Sequence, residues 1–198
     1  MIEPINRYVK GCVWAMACAL VCATGAFHSA LLADTVSIFT LTSEDITHGK
    51  QMSKQQEFEG FGCSGANRSP QLAWHNAPEG TAAFALLVHD PDAPTGSGWW
   101  HWQVINIPKT ATSLPAGAGE QGSKHLPAGS IQISNDYGFK GFGGACPPEG
   151  HGVHRYRFTL HALSTLLELP ENASGALTGY MVNAHSLGSS TIEALYQR

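Results

Sequence analysis

An all-β-dominated domain is the fold class this sequence predicts, and three observations predict it. Apolar residues fall in runs of strand length, 22 glycines and 11 prolines punctuate those runs as turns do, and helical periodicity is scarce. Six runs read as strands: Val36 to Leu41, Gln71 to Trp74, Ala83 to Val88, Trp102 to Ile107, Tyr156 to Leu163 and Thr191 to Tyr196. The stretch FALLVHD is nearly continuous in apolar side chains, as is the run around VIN, which suits strands covered on both faces inside a sandwich. A helix is expected from about Ser174, where Ala176, Leu177, Tyr180, Met181 and Ala184 recur at helical spacing.

Ahead of this pattern, Arg7 and Lys10 precede an apolar run from Cys12 to Phe27. The run is shorter than the roughly 20 residues that span a bilayer, and the small residues Ala30 and Ala33 follow it. Residues 1–33 therefore read as a secretory signal peptide, with a retained anchor as the alternative, and residues 34–198 as a single domain. A periplasmic or secreted protein is expected, with no stable membrane insertion after cleavage. A domain of this size buries roughly 70% of the surface its unfolded chain exposes, enough for a sizeable core. The leader holds Arg7, Lys10 and Glu3, so the remainder is one unit more negative than the chain's net −4. That balance offers no basic face to a nucleic acid.

Three of the five cysteines fall in the leader, which leaves Cys63 and Cys146. In an oxidising compartment a disulfide between them is expected, the alternative being two buried free thiols. Such a bridge would stabilise by very roughly 4–5 kcal/mol on the chain-entropy model.

Three long loops, 60–69, 91–98 and 138–152, are rich in glycine, proline and aromatic residues, and loops of that length in a compact domain usually carry function. The first chemical stretch is DPDAPTGSGWWHW. Asp90 ends a strand and precedes Pro91, so Asp90 and Asp92 alone fit an Asp-Pro turn that accepts backbone N–H groups. Strand alternation puts Trp100 and Trp102 on the face opposite His101, and a lone histidine among tryptophans is as readily a packed residue as a reactive one. The second stretch is GFGGACPPEGHGVHRYRF. Its glycines allow backbone N–H groups to approach an anion, and alternation sets His154, Tyr156 and Phe158 on one face with Arg155 and Arg157 on the other.

Taken together, DPDAP with GWWHW and PPEGHGVHRY downstream resemble the phosphatidylethanolamine-binding protein family, which includes the Raf kinase inhibitor proteins. The likeness is nearest to its bacterial, exported branch, through GFGC and GGACPP, and extends from about Ile38 to Tyr196. It implies a β-sandwich of two antiparallel sheets with a few short helices and a small pocket for a phosphate-bearing or other anionic ligand. Carried over by motif, Asp90, His101, His154 and Tyr156 form the pocket, and Trp99, Gly144, Pro147 and Pro148 line its rim. Asp90 is then the partner of His101 or His154, raising an imidazolium that meets the anion, while Asp92 fixes the turn. Cys146 stands where eukaryotic members more often have glycine, so a bridge to Cys63 implies a stiffer rim. The long C-terminal helix that gates the eukaryotic pocket is not expected after TIEALYQ.

The expected function is a non-enzymatic binding module, without cofactor or metal, for a small phosphate-containing or anionic ligand. A protein partner, kinase-like or a host protein, is a further expectation from the resemblance. The rival reading is a hydrolase acting on a phosphoester or ester, with His101 as base and Asp90 orienting it; no G-x-S-x-G stretch supplies a nucleophile. A metal enzyme built on two histidines and an aspartate lacks HExxH or CxxC spacing. A third class is an interaction protein whose surface matters more than its pocket.

Overall fold

A computed structural model describes residues 37–198, so the expected signal peptide, its cleavage point and the expected strand start at Val36 lie outside the described residues. In chain order the elements are β1 (Thr40–Thr42), β2 (Glu59–Gly60), β3 (Cys63–Ser64), β4 (Leu72–His75), β5 (Ala83–Asp90), β6 (Trp99–Pro108), β7 (Ser113–Leu114), β8 (Ile131–Ile133), β9 (His154–Leu163), α1 (Gly175–His185) and β10 (Ser186–Tyr196). Five strands form the main sheet in the order β10-β9-β5-β6-β8, β1-β4-β7 form a second sheet, and β2 and β3 a two-stranded ribbon. All these pairings are antiparallel.

Burial on both faces explains the continuous apolar run of β5. Phe84, Leu86 and Val88 point to the second sheet, where Leu41, Leu72, Trp74 and Leu114 close the larger core. Ala85 and Leu87 point the other way, into a smaller cluster with Leu163, Leu167 and Val182 of α1. Each fully buried large apolar side chain contributes about 1.5–3 kcal/mol, so β5 is pinned from both sides.

The strands run further than apolar content alone predicts. β6 begins at Trp99, β9 at His154 and β10 at Ser186, because backbone pairing continues where the side chains turn polar. That extension carries Asp90, Trp99 and His154 to one end of the main sheet.

One helix is present among the described residues where a few short ones were expected, and it buries a different face from the one its apolar spacing suggests. Ser174 caps it, its Oγ accepting from the Leu177 N–H at 3.1 Å. The buried positions are Gly175, Thr178, Gly179 and Val182, while Ala176 and Ala184 are exposed and Tyr180 is 70% exposed. Trp100 is the reason: its indole lies beneath the helix, and a Cβ at Gly175 would meet Trp100 Cδ1 at 2.2 Å. Small residues face the sheet because a large one already fills the space. Among the described residues no helix is long and apolar enough to cross a membrane.

Candidate ligand-binding site

The end of the main sheet is where the two chemical stretches meet. Register sets Asp90 opposite Trp99, and β9 runs beside β5, so the last residue of one strand and the first residues of two others share an edge. They wall a cavity of about 250 Å³. Of the eight residues the motifs nominate, Asp90, Trp99, His101, Pro147, Pro148, His154 and Tyr156 line it. Gly144 does not. Its N–H donates to Asn67 Oδ1 at 2.7 Å, and a Cβ there would strike the Gln56 carbonyl oxygen at 2.4 Å, so the glycine packs against a neighbouring backbone segment.

A β-bulge aims His101. Val88 pairs with Trp102 whereas His89 pairs with Trp100, which leaves His101 as the extra residue. In such a bulge two successive residues oppose one on the partner strand, and alternation fails. Trp100 therefore goes to the helix side, against His89, while Trp102 enters the core between the sheets. His101 turns inward with Trp102 and meets Tyr156 edge to face, ring centroids 5.0 Å apart. The expectation that Trp100 and Trp102 share a face is corrected by this one inserted residue.

Asp90, buried to 2% exposure, uses both oxygens. Oδ1 accepts from the N–H groups of Asp92 at 2.8 Å and Ala93 at 3.1 Å; Oδ2 meets His154 Nδ1 at 2.7 Å. An ionised carboxylate only accepts, so His154 Nδ1 carries the proton, and in the neutral ring Nε2 accepts from His151 Nδ1 at 2.8 Å. The result is a chain Asp90, His154, His151 that leads from the buried carboxylate to an exposed imidazole. Asp90 meets His154, one of its two expected partners, but the turn is not left to Asp92. Asp90 fixes the turn, while Asp92 clamps Arg155, accepting from Nε at 2.8 Å, from the second guanidinium nitrogen at 2.6 Å and from the Arg155 backbone N–H at 2.9 Å. Hydrogen bonding to that guanidinium holds the Asp92 carboxyl down at about 2.

His101 Nδ1 donates to the Gly143 carbonyl at 2.7 Å, so in the neutral ring Nε2 is an acceptor. Burial pushes its pKa down, against the smaller opposing pull of that hydrogen bond and of the Asp90 charge. Burial thus favours the neutral ring here, and the Asp90 carboxylate makes its hydrogen bond to His154, the other histidine expected as its partner. His101 Nε2, Trp99 Nε1 and Tyr156 Oη are buried with no hydrogen bond of good geometry to the protein, Tyr156 Oη having only a poorly aligned approach to the Asp90 carboxylate, and all three side chains line the same cavity. Burial, then the nearby Asp90 charge, raises the Tyr156 phenol far above its usual range, so it stays a donor.

The rim is cross-linked. Cys63 and Cys146 form a disulfide, closing a sequence separation of 83 residues, and Cys146 itself lines the cavity. Arg198 joins the same two loops, donating from Nε to the Pro147 carbonyl at 2.8 Å and from Nη1 to the Gly62 carbonyl at 2.9 Å. Two residues near the site escaped the motif reading. Tyr137 lines the cavity and donates to the Gly144 carbonyl at 3.0 Å; an aromatic set in the glycine-rich NDYGFKGFGG was its only signal. His151 was visible only as the histidine three positions before His154.

The sequence profile of the phosphatidylethanolamine-binding protein family matches residues 42–197. The chain belongs to that family. Within it, the chain is 51% identical over 160 residues to the UPF0098 protein YbcL of Escherichia coli K12, covering 80% of this chain and 87% of YbcL. It is 45% identical over 157 residues to YbhB of the same organism, covering 79% and 98%. The crystal structure of E. coli YbcL, presented as a new member of the mammalian PEBP family, superposes with a TM-score of 0.80 at 50% identity, over 82% of this chain and 99% of that one. A PEBP homologue from Chlamydia trachomatis follows at a TM-score of 0.67 and 25% identity, over 81% and 97%. A disulfide in this PEBP chain is a feature of proteins in oxidising, extracytoplasmic compartments.

Proposed function

We propose that the chain is an extracytoplasmic binding protein whose cavity takes a small phosphate-bearing ligand. The observation that carries this reading is the convergence of His101 Nε2, Trp99 Nε1 and Tyr156 Oη, buried and unpartnered, on one cavity. Each unpaired buried polar group costs about 1–3 kcal/mol, a cost that a ligand meeting all three would remove. Trp99 and Tyr156 are donors, as phosphoryl oxygens require. His101 offers a lone pair to the P–OH of a monoanion, either dihydrogen phosphate or a monoprotonated phosphomonoester, or becomes a donor when the dianion arrives with a proton. In both cases the complex holds one more proton than the separated parts at high pH, so affinity falls as pH rises. Asp90, already shared among two N–H groups and His154, tolerates a monoanion better than a dianion. A phosphomonoester and a phosphorylated side chain of a protein partner present this same group.

Binding is favoured over hydrolysis because the cavity lacks an activated nucleophile among the described residues. Cys146 is in a disulfide, and the Thr95 hydroxyl donates to the Gly98 carbonyl. Calorimetric titration with inorganic phosphate between about pH 5 and 8, run beside a phosphoester turnover assay, tests the reading. One saturable site that weakens as pH rises, with no turnover, is expected. Affinity independent of pH would count against it, and turnover abolished by His101→Ala would establish the hydrolase instead.

A further inference from the structure

One sulfur of the Cys63–Cys146 bridge faces the cavity. Cys146 is half-buried and lines it, whereas Cys63 is 8% exposed and does not. A thiolate entering from the cavity therefore meets Cys146 first. The bridge also holds the tip of a ribbon that has little else to hold it. β2 and β3 have two residues each, and a strand pair that short is not stable by itself. The turn between them carries Phe61 at φ +51° and Gly62 at φ +82°. Glycine adopts that left-handed conformation freely and phenylalanine does not, so Phe61 is kept there by its surroundings. Its ring, 74% exposed, borders the cavity and stacks on Phe58 and Tyr137 at centroid separations of 5.8 and 5.6 Å.

The base of the ribbon is fastened independently. The Phe58 N–H donates to the Ala145 carbonyl at 3.0 Å, and the Ala145 N–H donates to the Gln56 carbonyl at 2.9 Å. Beyond that base, the tip is tied to the Pro147 segment by the disulfide and by Arg198, which holds the Gly62 and Pro147 carbonyls. Opening the bridge thus loosens the tip and leaves its root in place, and Phe61 is the wall residue that moves.

We propose that the Cys63–Cys146 bridge is a thiol-sensitive latch on the ligand cavity, opened by a dithiol that attacks Cys146 from the cavity side; its coupling to a ligand rests on the phosphate-site reading. One thiolate of the dithiol bonds to Cys146 Sγ, the bond to Cys63 breaks, and Cys63 leaves as a thiolate that takes up the proton the dithiol lost. The second thiolate of the dithiol then displaces Cys146, which is protonated in turn. The dithiol departs as a disulfide, so two electrons and two protons pass to the bridge. A ligand in a cavity of about 250 Å³ leaves little room for the incoming thiol, and occupancy therefore shields the bridge. Reciprocity requires the converse: if a bound ligand stabilises the closed bridge, the open bridge binds that ligand more weakly.

Two measurements on the oxidised protein test the proposal. A small monothiol, quenched in acid and mapped by mass spectrometry, should be found on Cys146 and not on Cys63. A bridge reached only through global unfolding would carry the monothiol on both sulfurs alike, and that result overturns the latch. Inorganic phosphate at about ten times its dissociation constant leaves about one cavity in eleven empty, so reduction by dithiothreitol should slow roughly tenfold relative to chloride at equal ionic strength. The reduced protein, its fold checked by circular dichroism, should bind phosphate at least about fivefold more weakly. Where reduction unfolds the protein, the mapping and the protection by phosphate decide between them. Equal reduction rates while calorimetry shows phosphate bound overturn the latch and leave the pocket reading standing. A protein that binds no phosphate loses both.

Discussion

Tyr156→Phe separates the cost of the cavity from its use. The side chain is 2% exposed and its ring packs on His101, so phenylalanine fills the same space and only the hydroxyl is lost. That hydroxyl has no partner in the protein, and an unsatisfied buried polar group costs about 1–3 kcal/mol. The ligand-free variant should therefore be more stable than the parent, by about 1 kcal/mol at the low end of that range. Binding should move the other way. A hydrogen bond to a charged phosphate contributes about 1.5–3 kcal/mol, so the variant should bind roughly 10–100-fold more weakly. Phosphate at a hundred times the parent's dissociation constant adds about 2.7 kcal/mol to the parent and about 1.4 to a tenfold weaker variant. The stability advantage should then vanish or reverse. Urea unfolding with and without phosphate, beside calorimetric titration, reads both quantities. A ligand-free variant less stable than the parent would mean the hydroxyl is already satisfied, by Asp90 above all, and unchanged affinity would remove Tyr156 from the site.

Two further outcomes follow from the scaffold. Replacing Cys63 and Cys146 together with serine should cost about 4–5 kcal/mol in urea unfolding on the chain-entropy model for a separation of 83 residues, and a reductant should move only the parent's midpoint. Burial lowers the His161 pKa from 6.5 to about 4, so the folded ring stays neutral while the unfolded one gains a proton. Its contribution is complete above about pH 6.5 and is lost progressively down to about pH 4, by up to about 3 kcal/mol. His161→Gln should flatten stability across that window, leaving the share that belongs to His101, whose burial acts in the same direction. A slope unchanged by the substitution would refute the assignment.

Much of this protein is local enough to read from its sequence. An uninterrupted FALLV can be stable only as a strand covered on both sides, and two sheets plus α1 cover it. Two cysteines beyond an export-like leader predict a bridge, and the bridge is there. The motifs containing Asp90, His101, His154 and Tyr156 name residues that share one cavity, because each lies at or near a strand end and antiparallel pairing brings those ends together.

Tertiary structure alone decided the finer assignments, since each depends on partners distant in sequence. Alternation could not foresee the bulge at His101, which exists because β5 offers one residue where β6 offers two. Nor could it choose between the two histidines for Asp90 or find the partner of Asp92: Asp90 met His154 and Asp92 met Arg155, each across more than 60 residues. Helical spacing gave α1 its place but the wrong face, because the shape beneath it is that of Trp100 and not that of a generic apolar surface. The sequence thus determined which residues gather at the end of the sheet. Which nitrogens and oxygens there are spoken for, and which three are left without a well-made hydrogen bond, was settled only when distant strands fixed the donors and acceptors against one another.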